Sequence, residues 1–177
     1  MSVHQGGIRF PLLYLEMETP LGRMCIAERA HTIVYVWLHR VGPRGSPVSG
    51  VCAQHVCPGK TALLRETQSQ IHAYFCGALR EFSVPVTAEG TPFMQRVWGA
   101  TRNIAYGTTK SYAQLSQDIG CPRAARAVGQ ALHRNPLLLL IPCHRVISAR
   151  ASIGDFAYGS ALKHFLLQQE AAVCACE

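Results

Sequence analysis

Residues 137–141 read Leu-Leu-Leu-Leu-Ile between Pro136 and Pro142, the longest aliphatic run in the chain. Such a run offers no polar face, so it must be buried on all sides, and the prolines at its ends keep it out of any neighbouring helix. The pattern predicts a buried strand that delivers Cys143 to a mouth at its end. The rest of the fold has to be arranged around this segment. Five residues fall far short of the roughly 20 that cross a bilayer, so no membrane span is expected. The first residues, MSVHQGGIRF, show no basic stretch leading into an apolar segment and no small-residue cleavage site. The chain therefore reads as cytoplasmic and not secreted. At 177 residues, 49% of them apolar, it can bury roughly 70% of the surface its unfolded form exposes.

The amino-terminal half has strand character. Residues 12–18, 23–28 and 32–39 look like strands, and Thr19-Pro20-Leu21-Gly22 supplies a turn between the first two. Residues 41–60 hold four Gly, three Pro and two Ser and predict an irregular loop. Leu63, Leu64, Ile71, Tyr74 and Phe75 recur at helical spacing over 61–78, and 82–86 resembles a short strand. No convergent polar set occurs here, and residues 1–88 read as a small α/β scaffold domain.

The remainder, 89–177, is organised differently. Helical spacing over 92–104 places Phe93, Val97 and Ala100 on one face beside Trp98 and breaks at Tyr106-Gly107. Ser111-Tyr112-Ala113-Gln114 fits a capping box that opens a short helix at Tyr112, and Gly120 ends it. Pro122 suits a first helical position, so a second helix is expected from there to Leu132. Two short helices across a glycine turn make a helix-turn-helix candidate, although many helical hairpins share that spacing.

The second helix carries more information. Arg123, Arg126, Gln130 and Arg134 recur at steps of three and four on one face without an acid. Ala125, Val128, Gly129 and Leu132 occupy core spacing, and Ala124, Ala127 and Ala131 flank the basic positions. A surface helix with no polyanionic partner normally mixes Glu among its Arg residues. Between Arg96 and Arg150 there are eight basic residues and one acid, Asp118, whereas the rest of the chain carries nine of each. That asymmetry points to nucleic acid, against the plainer reading of a solvated basic face.

Pro142-Cys143-His144-Arg145-Val146-Ile147 follows the apolar run. A thiolate is the reactive form of cysteine, and histidine or a cation nearby raises its population. Adjacency alone is a weak signal, because buried inert cysteines are common and neighbouring side chains in an extended segment diverge. The eight cysteines contain no Cys-x-x-Cys, and neither Cys52/His55/Cys57 nor Cys174/Cys176 has the paired spacing of a structural zinc site. Free thiols and no metal are expected.

These residues together resemble a known family. Ile141-Pro142-Cys143-His144-Arg145-Val146, preceded by Arg126-Ala127-Val128-Gly129, by Asn135-Pro136 and by the helix pair with Tyr112, is similar to the O6-alkylguanine-DNA alkyltransferases, also called methylated-DNA–protein-cysteine methyltransferases. The resemblance runs from about residue 92 to Glu170; over 1–88 it is carried by the strands around Thr19-Pro20-Leu21-Gly22 and the helix ending in Tyr74-Phe75-x-Gly77. It implies a ribonuclease H-like α/β amino-terminal domain and a mostly α carboxyl-terminal domain with a DNA-binding helix-turn-helix. It also implies direct-reversal repair by a monomer without a cofactor. One alkyl group, methyl above all, would pass irreversibly from O6 of guanine, or O4 of thymine, in double-stranded DNA to Cys143.

By the same resemblance His144 acts on the thiol through a water, Glu170 orients His144, and Asn135 ties the helix pair to the active-site turn. Glu170 follows Leu162 and Leu166 at steps of four, an inward stripe, and a carboxylate near a helix carboxyl terminus needs a partner such as His144 to offset the dipole. Tyr112, Ala113, Arg123, Ala124, Ala125, Arg126 and Gln130 would face the minor groove. Arg126 would fill the stack left by a rotated base, while Tyr112 would crowd the 3′ phosphate and donate to guanine N3.

Val146, Phe156 and Ala157 would line the pocket. In Gly154-Asp155-Phe156-Ala157-Tyr158-Gly159, many family members carry Tyr or Trp at position 156 and some carry Ser at position 157, so a Ser donor to O6 is missing. Arg29 stands where some members have a zinc-binding cysteine, which predicts no zinc. Two alternatives compete: a non-reactive alkyltransferase-like protein that only binds alkylated DNA, and a helix-turn-helix regulator. The first lacks the reactive cysteine that Cys143 supplies. The second needs a dimer surface or sensor domain, and no long linker or second basic segment appears.

Overall fold

The computed structural model describes residues 11–39, 56–148 and 156–175. It opens on β1 (Leu12–Thr19), β2 (Gly22–Arg29) and β3 (Thr32–Leu38), close to the expected strand ranges. Thr19 pairs with Gly22 across the Pro20-Leu21 turn, and the Thr19 hydroxyl donates to the Gly22 carbonyl at 2.7 Å. A fourth strand, β4 (Val56–Pro58), runs parallel to β1 and completes the sheet order β3-β2-β1-β4. The expected loop over 41–60 thus contains a strand; residues 41–55 lie outside the described ones. Pro58 is compatible with β4 because an edge strand can do without one N–H donor.

Helix α1 (Ala62–Phe75) is capped by the Thr61 hydroxyl, which accepts from Leu64 N, and it buries Leu64, Ile71 and Tyr74. These side chains share a core with Met24, Ile26, Ile33 and Val36 of the sheet. Residues 82–86 do not form the expected strand. Only a single bridge joins Val86 to Ile33, flanked by Ile33 N donating to Pro85 O at 2.9 Å. Pro85 has no N–H with which to continue a ladder.

Helix α2 (Pro92–Arg102) begins behind the Thr91 cap with proline in its first turn. Strand β5 (Lys110–Ser111) then leads into α3 (Tyr112–Asp118), where the expected capping box closes: Ser111 Oγ accepts from Gln114 N at 3.1 Å and Gln114 Oε1 accepts from Ser111 N at 2.7 Å. Gly120 takes φ +71°, a left-handed turn that a side chain would strain. The next helix, α4 (Ala125–His133), starts three residues later than Pro122 predicts. Residues 121–124 form a separate turn, in which Ala124 N donates to Cys121 O and the Ser116 hydroxyl donates to Pro122 O. Ala131, which the spacing sets beside the basic positions, is buried and its carbonyl accepts from Trp98 Nε1 at 2.9 Å.

The run 137–141 is buried throughout, with no residue more than 5% exposed, but it is not a strand. Pro136 O accepts from Val36 N at 2.9 Å and Leu138 N donates to Val36 O at 3.0 Å, so the segment touches the β3 edge once. It then doubles back: Leu139 has φ +70°, and Ile141 N donates to Leu137 O at 2.9 Å. The prolines at both ends cannot donate, which leaves the chain free to turn inside the core. Cys143 accordingly opens a single 3₁₀ turn (Cys143–Arg145) rather than ending a strand. Strand β6 (Val146–Ile147) follows and pairs in parallel with β5, and α5 (Ser160–Ala175) closes the described chain.

The molecule is therefore α/β in its amino-terminal half and mostly helical beyond. One principal core includes Tyr74, Trp98, Leu132, Leu137 and Leu166 from both halves, while Leu12, Cys25, Ala27, Val34 and Trp37 form a smaller cluster on the other face of the sheet. Among the described residues no helix is long and apolar enough to cross a membrane.

Candidate active site

The doubled-back run sets Cys143 beside Asn135. Asn135 is buried, and its Nδ2 donates to Ile141 O at 2.9 Å and to Cys143 Sγ at 3.2 Å, while its Oδ1 accepts from Leu137 N at 2.9 Å. One side chain thus satisfies the turn that the prolines leave unpaired and also touches the sulfur. It sits two residues beyond α4, so helix and turn are coupled through it. Cys143 is 5% exposed. Burial pushes its thiol pKa up, and the Asn135 hydrogen bond and the Lys163 charge pull it only partly back. At rest the sulfur carries its proton.

His144 is fully buried, and burial lowers its pKa against the opposing pull of Glu170, so the ring is neutral. Its Nε2 lies 2.9 Å from Glu170 Oε1. An ionised carboxylate only accepts, so Nε2 bears the hydrogen and Nδ1 keeps its lone pair. Among the described residues Nδ1 is buried with no hydrogen-bond partner.

Glu170, on α5, is the centre of the network. Burial disfavours its charge, but hydrogen bonds from His144 and Arg145 hold its pKa down at about 2. It accepts from Tyr74 Oη at 2.8 Å, from Arg145 Nη2 at 2.9 Å and Nε at 3.0 Å, and from Gly107 N at 2.9 Å. Gly107 stands at φ +72°, where a Cβ would come within 2.5 Å of Cys174 Sγ. Arg145 also donates to Ile104 O at 2.7 Å. The carboxylate thereby joins α1, the loop after α2, the active-site turn and α5.

An open cavity of about 450 Å³ lies over Cys143, lined by Tyr112 of α3, by Ala125, Arg126, Gly129 and Gln130 of α4, and by Phe156 and Ala157. Arg123, Arg126, Gln130 and Arg134 are exposed along the basic face. Ala113 is exposed and Ala124 half-buried, and neither lines the cavity. Val146, expected in the pocket, is fully buried in β6 and does not line it: its side chain packs in the core while its carbonyl accepts from Lys163 Nζ at 2.6 Å. Gly154, Asp155, Cys52, His55 and Cys176 lie outside the described residues.

Sequence reasoning missed several participants. Arg145 counts there toward the basic excess between Arg96 and Arg150, yet it is 6% exposed and its charge is paired with Glu170. Lys163 is fully buried one position after Leu162 in the inward stripe, and its ammonium lies 5.7 Å from the centre of the Tyr112 ring. Tyr158 is buried behind Phe156, its hydroxyl has no hydrogen-bond partner among the described residues, and its pKa is raised by burial and then by Cys143. Tyr74 and Gly107 meet Glu170 across separations of 96 and 63 residues, which no linear spacing reveals.

Comparison with known proteins fits this geometry. Residues 92–172 match the family described as 6-O-methylguanine DNA methyltransferase, DNA binding domain. A methylated-DNA–protein-cysteine methyltransferase of Methanosarcina acetivorans is 36% identical over 159 residues, covering 90% of this chain and 98% of that protein. The constitutive enzyme of that name from Bacillus subtilis is 38% identical over 158 residues, covering 89% and 94%. The crystal structure of Mycobacterium tuberculosis OGT in complex with DNA superposes with a TM-score of 0.81 at 34% identity, covering 91% of this chain and 94% of that one.

Proposed function

The chain belongs to the methylated-DNA–protein-cysteine methyltransferase family, and from that premise we propose that it repairs O6-alkylguanine in double-stranded DNA by moving the alkyl group onto its own Cys143. The observation that carries the assignment to Cys143 is its place at the cavity floor. The exposed basic helix α4 forms one wall, Asn135 Nδ2 stands 3.2 Å from the sulfur, and the His144–Glu170 pair is built on the adjoining residue. Helices α3 and α4 serve as a helix-turn-helix in the minor groove, and residues 89–177 form the catalytic domain. The order β3-β2-β1-β4, with β4 parallel to β1, supports a ribonuclease H-like amino-terminal domain over 1–88.

The chemistry follows from the resting charges. The Cys143 thiol gives its proton through a bridging water to Nδ1 of neutral His144, and Glu170 stabilises the imidazolium that forms. The sulfur lone pair forms a bond to the alkyl carbon as the carbon–O6 bond breaks in line. Tyr112 donates a hydrogen bond to guanine N3 as charge develops there. The departing base ends as neutral guanine with O6 a carbonyl and a proton taken from solvent on N1, and the His144 imidazolium returns its proton to solvent. Asn135 steadies the sulfur through a hydrogen bond that strengthens with negative charge. A thioether has no easy leaving pathway, so each chain acts once. Mixing the protein with a duplex carrying O6-methylguanine and weighing it intact tests this. One methyl mass per chain is expected, whereas binding without any mass gain would identify a recognition protein instead.

Arg126 is exposed and lines the cavity, and in this reading it fills the vacated stack. Base rotation costs a few kcal/mol in a duplex and nothing for a free base. Arg126→Ala should therefore slow transfer from duplex DNA by about 10- to 100-fold while leaving reaction with free O6-benzylguanine nearly unchanged, because each 1.4 kcal/mol is a factor of ten. Equal losses on both substrates would place Arg126 in the pocket chemistry rather than in the stack.

A further inference from the structure

The amino-terminal sheet carries a cluster that alkyl transfer does not use. Glu16 on β1 and Cys25 on β2 stand directly opposite each other in the antiparallel register. His39, just past β3, is held beside them by its N–H, which donates to Arg23 O at 2.9 Å. Cys25 Sγ lies 3.5 Å from Glu16 Oε1, His39 Nδ1 lies 3.9 Å from the same oxygen, and all three atoms fall within 4.8 Å of one another. Among the described residues this is the one group of three metal-ligating side chains that converges in this way. Zinc bonds of roughly 2.0–2.3 Å at tetrahedral angles put ligand atoms about 3.3–3.6 Å apart, so small side-chain movements close the site.

The donor set is specific. One sulfur, one imidazole nitrogen and one carboxylate oxygen suit a borderline transition metal, whereas calcium and magnesium take oxygen ligands throughout. Cys25 forms a buried base, and the half-exposed Glu16 and His39 leave a way in and a fourth position for water. Arg23 Nη1 approaches the other Glu16 oxygen, Oε2, at 3.8 Å and does not take the one that faces the cluster. Position 29 is not involved, so the group is separate from the one that Arg29 argues against.

We propose that Glu16, Cys25 and His39 bind one divalent cation of the zinc type, which ties β1, β2 and the end of β3 together. On binding, the Cys25 proton passes to solvent, a sulfur–metal bond replaces the hydrogen bond to Glu16, and His39 coordinates through neutral Nδ1; nothing is oxidised or reduced. Linkage then raises stability with free cation concentration.

The test titrates the full-length protein with Zn²⁺ and Co²⁺, alongside Cys25→Ser, His39→Gln and Glu16→Gln, with Cys76→Ser and Cys174→Ser as controls. One cation per chain is expected, with a thiolate-to-cobalt charge-transfer band that Cys25→Ser lacks. Affinity should fall roughly 100-fold or more in Cys25→Ser and His39→Gln, since loss of even outer-shell partners costs about 10- to 100-fold. The controls should match the parent, zinc should raise the melting temperature of the parent but not of Cys25→Ser, and retained alkyl transfer would show that each variant is folded. Absence of stoichiometric binding, or affinity unchanged in both Cys25→Ser and His39→Gln, would overturn the proposal.

Discussion

Cys143→Ala ends alkyl transfer: the variant gains no mass from O6-methylguanine duplex, and its rate falls on the order of 10⁶-fold, the scale on which loss of a covalent nucleophile costs. No other described cysteine can substitute. Cys25 lies in the sheet, where burial and the Glu16 carboxylate push its thiol up to about 12, and Cys76, Cys121 and Cys174 do not line the cavity. The variant keeps its fold, because Asn135 Nδ2 retains its 2.9 Å bond to Ile141 O when the sulfur is gone. It also keeps the exposed face of α4, so it still binds alkylated duplex with an affinity that drops steeply with salt. Peptide mapping of the reacted parent should place the added methyl on Cys143. Transfer that survives in Cys143→Ala, or label found on another cysteine, would sink the assignment.

The route from sequence to this site was open where local chemistry decides and closed where distance does. Strands β1 to β3, helices α1 to α3 and the Ser111 capping box were legible because alternation, caps and turns act over a few residues. Residues 137–141 were legible as buried but not as a turn. Periodicity cannot show that Leu139 adopts a left-handed backbone or that the Asn135 amide supplies the bonds a strand neighbour would have made. Pro122 is not a helix start either: it falls in a separate turn closed by Ala124 N donating to Cys121 O, and α4 begins at Ala125. Cys143, His144, Asn135 and Glu170 could be named from motif and stripe. The burial and pairing of Arg145 could not, because they depend on a carboxylate 25 residues away. Glu16, Cys25 and His39 likewise meet only once strand register is known.

Glu170→Gln tests the network from its centre and should cost both stability and rate. The amide keeps the shape but removes the charge, leaving Arg145 and its guanidinium buried without a counterion. Breaking a buried pair at one partner typically costs about 3–5 kcal/mol, and for a chain of this size each 1 kcal/mol lowers the melting temperature by roughly 2–4 °C, so a fall of about 6–20 °C is expected. The pH dependence has a definite sign. The folded pKa of about 2 lies below the ordinary 4.5, so the contribution of Glu170 is complete above the ordinary value and is lost as pH falls toward about 2. The difference in melting temperature between parent and variant should therefore be full at neutral pH and shrink through that acid window. Transfer should slow as well, because an uncharged partner no longer stabilises the His144 imidazolium. A second variant separates the two effects. Replacing Glu170 by Leu together with Arg145 by Met removes both charges and should recover much of the melting temperature, since an apolar pair of similar volume can match a buried ion pair. The rate should stay low, because His144 still lacks its acceptor. Melting within about 2 °C of the parent in Glu170→Gln would show that the carboxylate does not support the fold, and full transfer by the double variant would show that it does not position the histidine.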